Sequence, residues 1–250
     1  FRGIQFGNSE FADIDNDGDL DLLITSSDNA PNRYADLYFN DGIGNFTLDT
    51  DAGLQGQSSG DFAFEDIDND GDLDLLMTGV IDIPFGSPQS PQQVTLYLND
   101  GSGNFLDSNE SFEALKGSSI AFFDMENDGD KDVIIAGEDI NGNRITNLYA
   151  NNSNGNFSLV SNANFTGVFV GDIAVSDTDN DGDIDVYISG QSTNGNVSEL
   201  YLNDGTGNFS LLPNTPFQPT FVGTSDFADF DYDGDMDILI TGAVIGAEST

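Results

Sequence analysis

The chain has 250 residues, of which 45 are Asp or Glu and only five are Lys or Arg, giving a formal net charge of −40. That charge repels phosphate backbones and anionic lipid, so no nucleic acid is expected as a partner, and no apolar run nears the roughly 20 residues that span a bilayer, so no membrane insertion is expected. With no Cys and no His, disulfides, thiolate or imidazole metal sites, Cys nucleophiles and Ser-His-Asp triads all drop out, while 37 % hydrophobic and 11 % aromatic residues suffice for a packed core.

Two segments recur along the chain in strict alternation. DIDNDGDLD starts at Asp13 and LYFNDGIGNF at Leu37; DIDNDGDLD starts again at Asp66 and LYLNDGSGNF at Leu96. DMENDGDKD then starts at Asp124, LYANNSNGNF at Leu148, DTDNDGDID at Asp177, LYLNDGTGNF at Leu200 and DFDYDGDMD at Asp229. Counting twelve residues back from each acidic segment divides the chain into units 1–53, 54–111, 112–164 and 165–216 and a partial unit 217–250, each opening on an apolar residue. The extra length of the second unit falls in IDIPFGSPQSPQQ, residues 81–93, whose three prolines predict a surface loop; it is either a tolerated insertion or a binding loop.

Each full unit reads as four short strands. Strand A ends at the acidic segment (Phe11, Ala12) and strand B leaves it (Leu22–Thr25); both are short apolar runs that suit strands buried on both faces. Strand C alternates about its Tyr, and strand D opens at the Phe of GNF. The Asn-Asp-Gly-x-Gly-Asn link between C and D is rich in residues that accept positive φ, as a tight hairpin requires. Four-stranded units of about 50 residues predict an all-β fold, a β-propeller of four-stranded blades in one propeller region spanning 1–250. Four full blades and half of a fifth are present.

The acidic segments gather five carboxylates in nine residues. Two carboxylates about 4 Å apart repel by roughly 1 kcal/mol in water and several-fold more near a protein surface, so such a hairpin needs a cation. Oxygen-only donors suit a hard ion, and a flexible shell of six to eight oxygens suits Ca²⁺ better than Mg²⁺. Positions 1, 3 and 5 point carboxylates inward, Gly at position 6 allows the turn, position 7 offers its carbonyl and position 9 returns a carboxylate. The predicted ligands are Asp13, Asp15, Asp17, Asp19 and Asp21, and then Asp66, Asp68, Asp70, Asp72 and Asp74. Those of the third loop are Asp124, Glu126, Asp128, Asp130 and Asp132. The last two sets are Asp177, Asp179, Asp181, Asp183 and Asp185, and Asp229, Asp231, Asp233, Asp235 and Asp237. An EF-hand is excluded, because position 12 is Ile or Met instead of Glu and the flanks are strands. About one Ca²⁺ per loop, up to five, is expected as a structural staple, and the third loop is expected to bind it most weakly, since Glu126 is one methylene too long and Lys131 adds a positive charge.

These residues, DxDxDGDxD followed by LYxNDGxGNF, resemble the FG-GAP and VCBS repeat families over essentially the whole chain. The resemblance implies a calcium-binding propeller like that of integrin α subunits, found in secreted or cell-surface proteins. Such propellers usually have seven blades, so further chain, another molecule or an open arc accounts for the rest; a fragment of a larger protein, bacterial as many such surface proteins are, is preferred. Three functions follow. The first is a binding or adhesion module for a protein or glycan ligand, without enzymatic activity. The second is a carbohydrate-binding or polysaccharide-cleaving propeller, and the third a structural spacer in a surface protein. The Tyr series Tyr38, Tyr97, Tyr149 and Tyr201 reads as a packing position in preference to a sugar-stacking ladder, and Phe46, Phe105, Phe157 and Phe209 as core between blades.

Overall fold

The computed structural model describes residues 1, 3, 5–28, 32–81 and 91–244. Arg2 and residues 82–90, the centre of the Pro-rich insertion, lie outside the described residues. The described residues form strands and no helix, so the fold is all-β, and no helix among them is long and apolar enough to cross a membrane. The chain divides into two compact units, Phe1–Lys116 with Asn152–Asn156, and Gly117–Asn151 with Phe157–Thr250.

In the first unit, β1 (Ser9–Ala12), β2 (Asp21–Ser27), β3 (Arg33–Asn40) and β4 (Phe46–Asp49) form one antiparallel sheet in chain order. β5 (Phe62–Glu65), β6 (Asp74–Val80), β7 (Gln92–Asn99) and β8 (Phe105–Asp107) form a second. Side chains of a strand alternate between faces, and here both faces are apolar. Leu22, Ile24 and Tyr38 pack together on one face of the first sheet. Leu23 and Leu37 on the other share a core with Leu75, Met77, Tyr97 and Phe105 of the second sheet. The two sheets therefore stack face to face, as neighbouring blades do. β2 and β6 are buried along their whole length; each lies inside its sheet, paired on both sides.

Two expectations need correction. β1 and β5 are only partly buried: each is the first strand of its sheet and is paired on one side only. Strand C does not alternate either, since Asp36, Leu37 and Tyr38 are all buried in β3. Covering both faces leaves no wet side on which an alternation could show.

The exposed start of β1 carries one costly group. Glu10 is pushed up to about 7, mainly by burial and then by the charge of Asp61, which itself accepts a hydrogen bond from Asn8 Nδ2 at 2.9 Å. A carboxyl raised in the folded state favours folding below its ordinary value near 4.5 and loses that advantage as pH rises through about 7. Glu10→Gln is therefore expected to stabilise the protein by about 1 kcal/mol at pH 8, after allowance for solvent screening, and not at pH 4. Denaturant unfolding across that range checks it; a variant that tracks the parent at every pH would disprove the assignment.

The second unit repeats the plan. β9 (Lys116–Phe123), β10 (Asp132–Glu138), β11 (Arg144–Asn151) and β12 (Phe157–Leu159) form one antiparallel sheet. β13 (Phe169–Ser176), β14 (Asp185–Ser192), β15 (Gly195–Asn203) and β16 (Phe209–Leu211) form the next, and β17 (Ser225–Ala228) pairs with β18 (Asp237–Ile240). Ile134, Ala136 and Leu148 pack against Ile173, Val186, Ile188 and Tyr201. On the opposite face of the middle sheet, Ala174, Tyr187 and Leu200 pack with Phe217, Phe227, Ile238 and Ile240.

The four repeated Tyr rings are buried, between 4 % and 8 % exposed. The Tyr97 hydroxyl accepts from the backbone N–H of Gln55 at 3.2 Å, and that of Tyr201 accepts from Thr166 N–H at 3.0 Å and donates to Glu199. They tie strand C to the leading segment of the same repeat and offer no stacking platform. Phe105 lies in the core between sheets, and Phe209 meets Phe123 of the neighbouring sheet edge-on at 6.1 Å.

Candidate metal centres

All five acidic segments sit at the same place, in the turn between the first and second strands of a sheet. The Ala12–Asp21 and Ala228–Asp237 pairs close the first and last of these turns. Inside each loop the carboxylates are first used on backbone. The position-1 carboxylate accepts the N–H of the position-6 Gly, at 3.2 Å in Gly18, 3.1 Å in Gly71, 2.9 Å in Gly129, 3.0 Å in Gly182 and 3.2 Å in Gly234. The position-5 carboxylate accepts the N–H of position 7 at 3.0 Å in every loop. The Gly adopts φ of 92–97°, which a side chain resists. Position 4 is also left-handed, with φ of 58–62° at Asn16, Asn69, Asn127, Asn180 and Tyr232. Asn tolerates that region best among residues with a side chain, a signal present in four of the five loops that the ligand pattern alone passes over.

This wrapping brings carboxylate oxygens of positions 1, 3 and 5 within 4.8 Å of one another in three loops: Asp13, Asp15 and Asp17; Asp66, Asp68 and Asp70; Asp177, Asp179 and Asp181. In the fifth loop the close group is Asp229, Asp231 and Asp237. Burial, and then the neighbouring position-5 charge, raises Asp15, Asp68 and Asp179 above the ordinary carboxylate range. Asp13 Oδ1, Asp66 Oδ1 and Asp68 Oδ1 are buried and accept no hydrogen bond. Orphaned anionic oxygens facing one another are what a hard cation satisfies and a solvated turn does not. The residues present fit such an ion.

The third loop differs. No trio from Asp124, Glu126, Asp128 and Asp132 comes within that distance. The longer Glu126 side chain lies beside Asp132, and burial followed by the Asp132 and Asp128 charges pushes Glu126 up to about 7. Its Oε2 is left buried without a partner.

Positions 7 and 9 have further partners. Asp21, Asp74, Asp132 and Asp185 are at most 1 % exposed, and each bridges two backbone N–H groups. One oxygen takes position 2 of its own loop, at 3.1 Å for Ile14 and Ile67, 2.9 Å for Met125 and 3.0 Å for Thr178. The other takes the last Asn of the third strand, at 2.8 Å for Asn40, 2.9 Å for Asn99, 2.8 Å for Asn151 and 2.9 Å for Asn203. These carboxylates lock the loop to the sheet. The described residues hold no third strand beside β18, and Asp237 there joins the close trio. The position-7 carboxylates lie against the glycine that opens the next hairpin: a Cβ on Gly101 would come 2.5 Å from Asp72 Oδ2, and one on Gly205 equally close to Asp183. Asp19, Asp130 and Asp235 occupy the same loop position, whose carbonyl is the predicted donor.

A family model described as an FG-GAP-like repeat matches residues 13–77, 124–188 and 177–240, together more than half of the chain. Each match starts on the first Asp of one acidic loop and runs through the next loop into the strand that leaves it, so all five loops fall inside the matches. The comparison with curated proteins returns no match.

Proposed function

This chain belongs to the FG-GAP-like repeat family, and from that premise we propose that it is a calcium-stabilised β-propeller module that binds a protein or glycan ligand in a secreted or cell-surface protein. The observation that carries the reading is the recurrence of three carboxylates within 4.8 Å in four of the five loops, with buried oxygens left unpartnered in the first two. Ca²⁺ fits better than Mg²⁺ because the donors are anionic oxygens on a loop already shaped by its own backbone bonds, with no constraint to a tight octahedron. Repetition of the same centre supports a staple for each repeat and not a reactive site, and the module is read as non-enzymatic. Stacked sheets hold the loops at their ends on a rigid frame, which suits ligand presentation.

Burial of all four repeated Tyr rings weighs against a stacked-sugar ladder, so the ligand surface is sought on loops. Elemental analysis after dialysis against Ca²⁺ is expected to return four or five ions per chain, with the third loop loading last. Immobilised chain probed with a glycan panel and with extracellular matrix proteins should then show capture in Ca²⁺ that disappears in chelator. Stoichiometric Ca²⁺ with no capture of either class would leave a structural spacer as the better account; no Ca²⁺ uptake would sink the metal reading itself.

A further inference from the structure

We propose that the cation loops of neighbouring repeats are energetically linked through Asn side chains, so that loading of one loop strengthens loading of the next. This deepens the cation reading above and rests on it. The position-4 Asn of one loop donates its Nδ2 to the position-7 carboxylate of the following loop at 2.7 Å, from Asn16 to Asp72, from Asn127 to Asp183 and from Asn180 to Asp235. A second link runs the other way. Asn99 Nδ2 donates at 2.8 Å to the Ile14 carbonyl of the preceding loop and at 3.1 Å to the Leu73 carbonyl of its own. Asn203 repeats this with Met125 at 2.8 Å and Ile184 at 3.2 Å.

The route between the fourth and fifth loops is short. Asn180 lies between Asp179 and Asp181, two members of the fourth trio. When those carboxylates are drawn together on a cation, the backbone of Asn180 is held on both sides in its left-handed conformation. Its amide then fixes the Asp235 carboxylate; the backbone N–H of Asp235 donates to Asp233 Oδ1 at 3.0 Å, and the Asp233 N–H donates in turn to Asp229 Oδ1 at 3.1 Å and Asp231 Oδ1 at 3.2 Å, two members of the fifth trio. Ordering the first loop therefore meets part of the ordering cost of the second, which is positive cooperativity without any change of fold. The hydrogen bonds involved are between an amide and a charged acceptor, the stronger kind. In the fifth loop position 4 is Tyr232, 90 % exposed, with no amide to donate.

Tyr232 also supplies the probe, as the only Tyr inside the acidic loops. Tb³⁺ seated in the fifth loop is excited through that ring, and Tyr232→Phe gives the background to subtract. In the full chain, disabling the fourth loop with Asp177→Asn and Asp181→Asn is expected to weaken Tb³⁺ loading of the fifth loop about fivefold or more. Asn180→Gly, which keeps the left-handed backbone without strain and removes only the donor, should weaken it by a similar factor. Added to the disabled loop, Asn180→Gly should change nothing further. A fifth-loop midpoint unmoved by Asn180→Gly, with Tyr232-sensitised emission intact, would overturn the linkage and leave the cation reading standing. Absence of any Tyr232-dependent emission from the parent chain would overturn both. Asn180 is exposed, so this variant keeps the core and its circular dichroism serves as the check on folding.

Discussion

Saturating Ca²⁺ is expected to raise the thermal midpoint of the chelated protein by at least about 20 °C. A ligand that binds only the native state stabilises it by roughly 2.7 kcal/mol per site at a hundredfold excess over Kd. Four such sites supply on the order of 11 kcal/mol, and in a chain of this size each kcal/mol moves the midpoint by about 2–4 °C. The effect is large here because the metal-free fold carries an unusual burden. The chain has a net charge of −40, and the position-3 carboxylates of the first two loops, Asp15 and Asp68, are held partly out of water beside a second charge. Ca²⁺ removes that repulsion and fills oxygens that the protein itself leaves unpartnered. Mg²⁺ at the same concentration should give a smaller rise, since it sheds its waters reluctantly. Calorimetry in chelator, in Mg²⁺ and in Ca²⁺ decides it; a Ca²⁺ shift under about 5 °C would mean that the loops are not the main source of stability.

The repeat, the strand pairs and the position of every acidic loop are legible in the residues, because each is written several times over. What escapes is whatever depends on a neighbour distant in sequence. The apolar run around Phe11 looks like that around Leu23, yet only β2 is buried throughout; edge position decides, and edge position is topology. Asp74 and Asp68 look equivalent in DIDNDGDLD. Only the fold shows that Asp74 is committed to two backbone donors while Asp68 keeps an oxygen free. The Asn at position 4 is visible as a repeated letter, but its reason is a left-handed backbone and a carboxylate in the next repeat. The Glu126 departure is the opposite case, since one extra methylene, read from composition alone, coincides with the loop in which no close trio forms.

That difference between position 9 and position 3 yields the sharpest test of how each loop is built. Asp74→Ala is expected to destabilise the protein by about 3–4 kcal/mol even in chelator, because it strips the acceptor from two N–H groups, those of Ile67 and Asn99, at about 1–3 kcal/mol for each group left unpaired in the interior. Asp74→Asn should cost less. It keeps one acceptor oxygen, and it removes a charge whose burial pushes Asp74 up to about 7. Asp68→Asn should behave in the reverse sense. In chelator it is neutral or mildly stabilising, since it relieves repulsion with Asp70; in Ca²⁺ it forfeits much of one site's contribution, about 2 kcal/mol. Urea unfolding of the variants with and without Ca²⁺ separates the two roles. If Asp74→Ala were silent in chelator, position 9 would be a ligand and nothing more. If Asp68→Asn were costly there, position 3 would belong to the frame and the cation would be secondary to it. The expected crossing of the two, one variant damaged without metal and the other only with it, is what a loop must show when its position-9 carboxylate locks the turn to the sheet and its position-3 carboxylate keeps an oxygen for an ion.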